Sequence, residues 1–391
     1  MTKSFRIWFA ILLTLALISV EAKQIACNES DGDSTSVELE PQKFLNELKK
    51  WINPYGSYRV YFGMNSNGYF GMSDNASRFG IEGGIPIHEK YDMEVFAVAE
   101  FGTNLVDRDE FIVFRTDPGA EVAEEGNAVY SRLGFVGLRT NYFSFSVGKQ
   151  WSVYYDVAEY TDQFYAFGAD GAVTFNMESD GGISGTGRAN RLFLLRSNFN
   201  SPIKFGIQAQ TRYITDNSKQ FADTWGASLR YEPEYGLSVG IAFNIVRDGV
   251  ENPKFNQPKT GDKSIITAIS YKKNRLHLSY SLSLFENHEM LRINDSTRYF
   301  FSGYGMELFA GYYLSKSERW RVATGFNLIQ PKRVVEVGKF RLLYFVAECS
   351  YTFGTASHIF TTVKVNRSSD IFGVLDTTSV FAMGLRFSFG Y

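Results

Sequence analysis

From residue 55 onward, polarity alternates with a period of two, in segment after segment of eight to fourteen residues. Successive side chains of a strand point to opposite faces, so the pattern builds sheet with one apolar and one polar surface. Residues 203–213 set Ile203, Phe205, Ile207, Ala209 and Tyr213 against Lys204, Gln208, Gln210 and Arg212. Residues 236–245 set Leu237, Val239, Ile241, Phe243 and Ile245 against Gly236, Ser238, Gly240 and Asn244, and residues 276–284 set Leu276, Leu278, Tyr280, Leu282 and Leu284 against His277, Ser279, Ser281 and Ser283. The last segment places Phe381, Met383, Leu385, Phe387, Phe389 and Tyr391 opposite Ala382, Gly384, Arg386, Ser388 and Gly390. Such segments are long for a sandwich and match a tilted strand that crosses a bilayer.

Sixteen segments fit the pattern, at 55–64, 76–87, 92–103, 129–139, 142–149, 188–198, 202–214, 223–233, 235–247, 263–272, 275–286, 303–314, 319–329, 340–353, 357–366 and 378–391. Short connections (88–91, 140–141, 199–201, 234, 273–274, 315–318, 354–356) alternate with long polar ones such as 104–128, 150–187, 248–262, 287–302 and 367–377. A meander with short turns at one end and long loops at the other is what a closed outer-membrane barrel requires. A soluble sandwich shows the same alternation. Three observations favour the all-β transmembrane barrel over it. These are the loop lengths, the aromatics near strand ends (Tyr213, Trp225, Tyr231), and an alternating aromatic C-terminus ending at Tyr391. The composition agrees, with 35 Phe, 23 Tyr and 35 Gly. A mean hydropathy of −0.18 argues against a helical bundle but not against strands that are only half apolar.

Residues 1–22 read as a cleaved secretory signal: Lys3 and Arg6, an apolar core at 7–20, then Val20 and Ala22 before the cut. Cys27 lacks the leucine expected ahead of a lipid-attachment cysteine, and with Cys349 alone it makes no disulfide framework. Residues 23–54 are expected to form a polar linker and a short periplasmic amphipathic helix. Phe44, Leu45, Leu48, Trp51 and Ile52 recur there at helical spacing between Lys43, Lys49 and Lys50. Residues 55–391 form the barrel.

Sixteen strands enclose an aqueous channel rather than a filled core, and the longest loop, 150–187, is placed to narrow it. Its residues Gly148-Lys149-Gln150-Trp151-Ser152-Val153-Tyr154-Tyr155-Asp156, then Glu159-Tyr160-Thr161-Asp162-Gln163-Phe164-Tyr165-Ala166-Phe167-Gly168-Ala169-Asp170, carry a resemblance. It extends to Tyr55-Gly56, to the run from Ser77-Arg78 to Gly83, and to that from Ser131-Arg132 to Arg139. The chain resembles the Gram-negative general porins over most of 55–391. That resemblance implies trimeric sixteen-stranded diffusion channels whose third external loop folds into the pore. It implies residence in outer-membrane lipid as a homotrimer, passage of small hydrophilic solutes and ions, and recognition by the barrel-assembly machinery through an aromatic C-terminus, here Tyr391. Arg78 and Arg132 match arginines that the family projects into the constriction, Arg196 looks similar to a third, and Asp162 matches an acidic loop position. Where the family often has a second carboxylate, this chain has Ala166; Asp156, Glu159 and Asp170 are the candidates to compensate. Strand parity independently puts Arg59, Arg78 and Arg132 on the polar face.

Rival chemistries find little support. Lys+Arg 40 against Asp+Glu 42 leaves a net charge of −2, too neutral for nucleic acid. Four scattered histidines offer no zinc spacing, the glycines at 181–187 lack the lysine and helix of a phosphate cradle, and no cofactor is expected. His277 and Ser279 share the lumen face, far from the bilayer surface a phospholipase needs, so no enzyme is read. A substrate-specific channel for sugar, phosphate or dicarboxylate, or a closed structural or receptor barrel, would use the same scaffold.

Overall fold

The structure, a computed structural model, describes residues 51–103, 106, 129–175, 180–182, 184–211, 222–247, 250–252, 257–259, 263–292, 298–332, 337–354 and 356–390. Sixteen antiparallel strands close into a barrel. They are β1 (Ile52–Asn65), β2 (Ser77–His88), β3 (Met93–Thr103), β4 (Val129–Arg139), β5 (Phe143–Trp151), β6 (Arg188–Ser197), β7 (Ile203–Thr211) and β8 (Ala222–Tyr231). Then follow β9 (Leu237–Val246), β10 (Lys263–Lys273), β11 (Leu276–Arg292), β12 (Arg298–Tyr313), β13 (Trp320–Pro331), β14 (Leu342–Phe353), β15 (Ser357–Asn366) and β16 (Val380–Phe389). Each pairs with its successor, and β16 returns to β1 with Gly56 opposite Phe389 and Asn65 opposite Val380. A short strand, Phe70–Asp74, continues β2 along β1 beyond a break at Ala76, whose φ is +59°. The expected helix does not reach residue 54: β1 starts at Ile52, three residues before the expected first strand, because residues 52–54 pair with 81–83 of β2.

The outer face is apolar: Phe62, Ile81, Ile207, Leu229, Ile241, Leu284 and Leu385 are all exposed. Exposed apolar side chains on every second position are stable only against lipid. The inner face is polar, with Ser57, Gln208, Asn244, Ser281, Asn327 and Thr362 buried along it. Tyr231 and Tyr235 stand exposed at the short-turn rim and Trp225 toward the other, as expected of interfacial girdles; Tyr213 lies outside the described residues. The short turns use left-handed residues, including Asn274 (φ +54°) and Gly354 (φ +64°).

Two local readings are corrected. The stretch 287–302, expected as a polar loop, is mostly sheet, since β11 runs to Arg292 and β12 begins at Arg298 after a register shift between Phe285 and Glu289. Leu291 and Phe301 are buried against Phe285, Val173 and Val337, so the extended ends of these strands have a core of their own. Second, a bulge opposite Glu100 and Phe101 turns both Arg132 and Leu133 inward. It moves Phe135 to the inner face, where it meets Phe96 edge-on at 6.1 Å between ring centroids. On β6, Leu192 and Leu194 share the inner face with Arg196, as their parity indicates, and Val153 of the long loop covers them.

Replacing an outward residue midway along a stave tests the lipid-facing assignment. Ile241→Arg is expected to cost about 2–4 kcal/mol in urea titrations in lipid vesicles. An unchanged midpoint would contradict it.

Candidate functional site

The described residues of the long loop are held inside the barrel. Leaving β5, Ser152 Oγ donates to the Thr186 carbonyl at 2.6 Å, and Val153 N–H donates to Gln208 Oε1 at 2.8 Å. A single helical turn follows, α1 (Tyr155–Ala158). Asp156 in that turn is nearly buried. It accepts Arg196 Nη2 at 2.7 Å and Ser228 Oγ at 3.3 Å, while Arg196 Nη2 also donates to the Trp151 carbonyl at 2.9 Å.

Beyond the turn, the loop finds its partners on the inner faces of β11 to β15. Glu307, fully buried on β12, accepts the Ala169 N–H at 2.8 Å and the Thr161 hydroxyl at 3.2 Å. Asn327 on β13 accepts the Gly171 N–H at 2.8 Å, and Ser283 on β11 donates to the Ala172 carbonyl at 2.9 Å. On β14, Tyr344 OH donates to Asp170 at 2.8 Å and Glu348 accepts the Tyr165 N–H at 2.9 Å. Glu348 is itself paired with Arg321 at 2.5 Å, whose guanidinium lies 4.3 Å from the Tyr165 ring centroid. A loop within a barrel must satisfy its own amides and carbonyls, and this wall supplies carboxylates, an amide and hydroxyls where they fall.

The inner faces of β16, β1, β2 and β4 carry arginines instead. Arg59 and Arg386 are cross-strand neighbours, and Arg78 lies opposite Ser57 on the adjoining strand. All three are half-buried, whereas Arg132 is buried and bonded to Glu100 at 2.8 Å. Asp162 answers them from the loop, accepting the Tyr155 hydroxyl at 2.8 Å. Burial pushes its carboxyl above the usual range, opposed by the Tyr155 hydrogen bond and by the charges of Arg78 and Arg59. The Glu159 carboxyl is pushed up to about 7. Dense surrounding protein is the main cause, with Asp156 and Glu232 adding to it and Arg230 opposing. Half of the side chain is nevertheless open to water.

Known proteins bear directly on this arrangement. A family model described as Gram-negative porin matches residues 115–319. The chain belongs to the Gram-negative porin family. Over 343 residues it is 25% identical to outer membrane porin F of Xenorhabdus nematophila, spanning 81% of this chain and 85% of that protein. It is 31% identical to outer membrane protein F of Serratia marcescens over 159 residues, 38% of this chain and 41% of that one. In fold it is similar to the Salmonella typhi OmpF solved in complex with daunomycin, with a TM-score of 0.68 at 21% identity. That match covers 86% of this chain and 97% of the other. The protein is thus an outer-membrane porin, a diffusion channel of the bacterial outer membrane.

Of the residues singled out from the sequence, the porin brings Arg59 and Arg78 toward Asp162. Arg132 sits in a buried pair, and Arg196 and Asp156 bind each other at the loop root. Glu159 lies 3.6 Å from Arg230, and Asp170 is tied to Tyr344. Ala166 is sealed into an apolar cluster with Tyr61, Phe167 and Phe360. Sequence reading missed Arg230, Arg321, Glu100, Glu307 and Glu348. Each is polar among the apolar residues of an alternating strand, which was the available signal.

Arg196→Ala leaves Asp156 without its cation. The variant is expected to lose about 2 kcal/mol of stability in lipid and to become sensitive to protease in the loop. Wild-type protease resistance and an unchanged unfolding midpoint would contradict this role.

Proposed function

We propose that this porin passes small hydrophilic solutes and ions through an eyelet set by two opposed surfaces. A basic wall carries Arg59, Arg78 and Arg132, and the inward loop carries Asp162, with Glu159 and Asp170 beside it. Arg196 and Asp156 act together to position the loop root. The observation that carries this reading is the loop fastened across the barrel to Glu307 and Glu348 at 2.8 Å and 2.9 Å, with Asp162 held on it by the Tyr155 hydroxyl at 2.8 Å. Opposed charges on facing walls create a transverse field in a narrow aqueous path. Hydrated polar solutes align in such a field and pass, whereas apolar ones must displace ordered water and are slowed. The chemistry is permeation rather than turnover, and no bond is made or broken.

Further features follow from the family resemblance. The porin works as a homotrimer, its residues 1–22 are removed on export, the residues from 23 up to the start of β1 at Ile52 form a periplasmic appendage, and Tyr391 presents the assembly signal.

In planar bilayers the purified protein should give discrete, ohmic conductance steps. Under a salt gradient, Arg78→Gln and Asp162→Asn should shift the reversal potential in opposite directions. Protein that yields no steps would overturn the channel reading. The pH dependence has a definite sign. Glu159 is charged above about pH 7 and neutral below it, so lowering the pH from about 8 to about 5.5 removes one negative charge from the lumen. The reversal potential should then move toward anion preference, and Glu159→Gln should abolish that shift. A shift toward cations would contradict the assignment.

A further inference from the structure

Outside the pore, the short-turn rim between β10 and β13 concentrates positive charge that nothing else in the barrel uses. The end of β10 and the turn after it hold Lys273 and Arg275, and the turn from β12 to β13 holds Lys316 and Arg319. The two turns are neighbours, because Leu276 lies opposite Tyr312 where β11 starts and β12 ends. They are also bonded: Tyr313 N–H donates to the Arg275 carbonyl at 2.9 Å, and Arg275 Nη1 donates to the Leu314 carbonyl at 3.0 Å. Lys273, Lys316 and Arg319 are exposed, and Arg275 is half-buried. Among the described residues, none of the four forms an ion pair. Glu318 is the single carboxylate on these two turns. The flanking turns extend the cluster on neither side, since 232–236 carries Glu232 and Glu234 and 354–356 carries no charge.

The cluster is turned toward the bilayer. Lys273 continues the outward row of Ile265, Ile269 and Tyr271 along β10, whereas Lys272 keeps the inward parity of Ser270. The Arg275 guanidinium lies 5.1 Å from the ring centroid of Tyr312, an outward, exposed residue. Trp320, also outward and exposed, stands beside Tyr351 at 4.9 Å between ring centroids. Aromatic rings at a barrel rim mark the level where acyl chains give way to headgroups, and Leu278 and Val322 begin the apolar wall next to them. The cations therefore stand at the depth of lipid phosphates. Like charges crowded on one arc repel each other, and an anionic headgroup among them removes that repulsion while its acyl chains cover the apolar wall. A soluble acidic protein would meet the charges but not the wall. The short turns of an outer-membrane barrel face the periplasm, so the lipid met here belongs to the inner leaflet.

We propose that Lys273, Arg275, Lys316 and Arg319, flanked by Tyr312 and Trp320, form a docking site for the headgroups of anionic phospholipids in the periplasmic leaflet. The site lies on the outside of the barrel and is independent of what passes through it.

Trp320 reports on the site directly. The purified protein is reconstituted in phosphatidylethanolamine vesicles, and fluorescence quenching by brominated phosphatidylglycerol is compared with quenching by brominated phosphatidylethanolamine. The Trp320 signal is the difference between wild type and Trp320→Phe. Trp225, exposed toward the opposite rim, is read in the same way from Trp225→Phe as the control. At Trp320, phosphatidylglycerol should half-quench at about a fivefold lower membrane fraction, the factor for one cation at an anionic surface, and high salt should remove the difference. At Trp225 the two lipids should quench alike. The triple variant Lys273→Gln, Lys316→Gln, Arg319→Gln should abolish the preference at Trp320, whereas Lys273→Arg with Lys316→Arg should keep it. Equal quenching of Trp320 by the two lipids would overturn the site, and a shift of its emission by soluble polyglutamate in that case would assign the rim to an acidic protein instead. An equal preference at Trp225, or one unmoved by the triple variant, would also overturn it.

Discussion

In a hydrocarbon environment no backbone amide or carbonyl can be left to solvent, so a sheet that crosses a membrane must close on itself. Here the closure is the pairing of β16 with β1, from Gly56 opposite Phe389 to Asn65 opposite Val380. Much else follows from that constraint. Closing sixteen strands leaves a bore too wide to be filled by wall side chains. The bore must then be narrowed by chain folded into it, and that chain brings its own unsatisfied amides. The wall meets them with Glu307, Glu348, Asn327 and Ser283, each on the inward parity of its strand. Functional polarity inside the barrel is thus also structural: the carboxylates that seat the loop leave the opposite arc, from β16 through β4, to the arginines.

The same seam explains where charge concentrates. Ser57 sits on β1 and Arg386 on β16, residues separated by nearly the full length of the chain, and closure alone makes them neighbours. A row of arginines on adjacent staves is costly unless each is held and each has something to attract. Arg132 has Glu100, Arg196 has Asp156 and Arg321 has Glu348. These pairs are fixed parts of the wall and loop root. Arg59 and Arg386 instead converge on one hydroxyl, Ser57 Oγ, at 2.9 Å and 3.2 Å.

Much of this was legible in the residues alone, because the period-two pattern is the direct image of a sheet with lipid on one side and water on the other. It located all sixteen staves and placed Arg59 and Arg78 inward. It failed where the ladder departs from its period. The bulge opposite Glu100 turns Leu133 inward beside Arg132, and a bulge is decided by pairing across strands rather than by alternation. It failed again at 287–302, where polar residues around Asn287 mark a kink and not the end of the strand. Leu192 and Leu194 face inward on the same parity as Arg196, and the long loop's Val153 covers them. Which carboxylate meets which arginine could not be read, since that depends on the loop's path across seven or more strands.

The central claim is that the loop is latched to the wall by Glu307 and Glu348 and that this latch sets the size of the opening. The most direct measurement is the swelling rate of proteoliposomes in sugars of increasing size, comparing wild type with a Glu307→Ala, Glu348→Ala double variant. A latched loop predicts a sharp size cut-off in wild type and faster entry of the larger sugars in the variant. The same cut-off in both proteins, with the variant folded and inserted, would contradict the account.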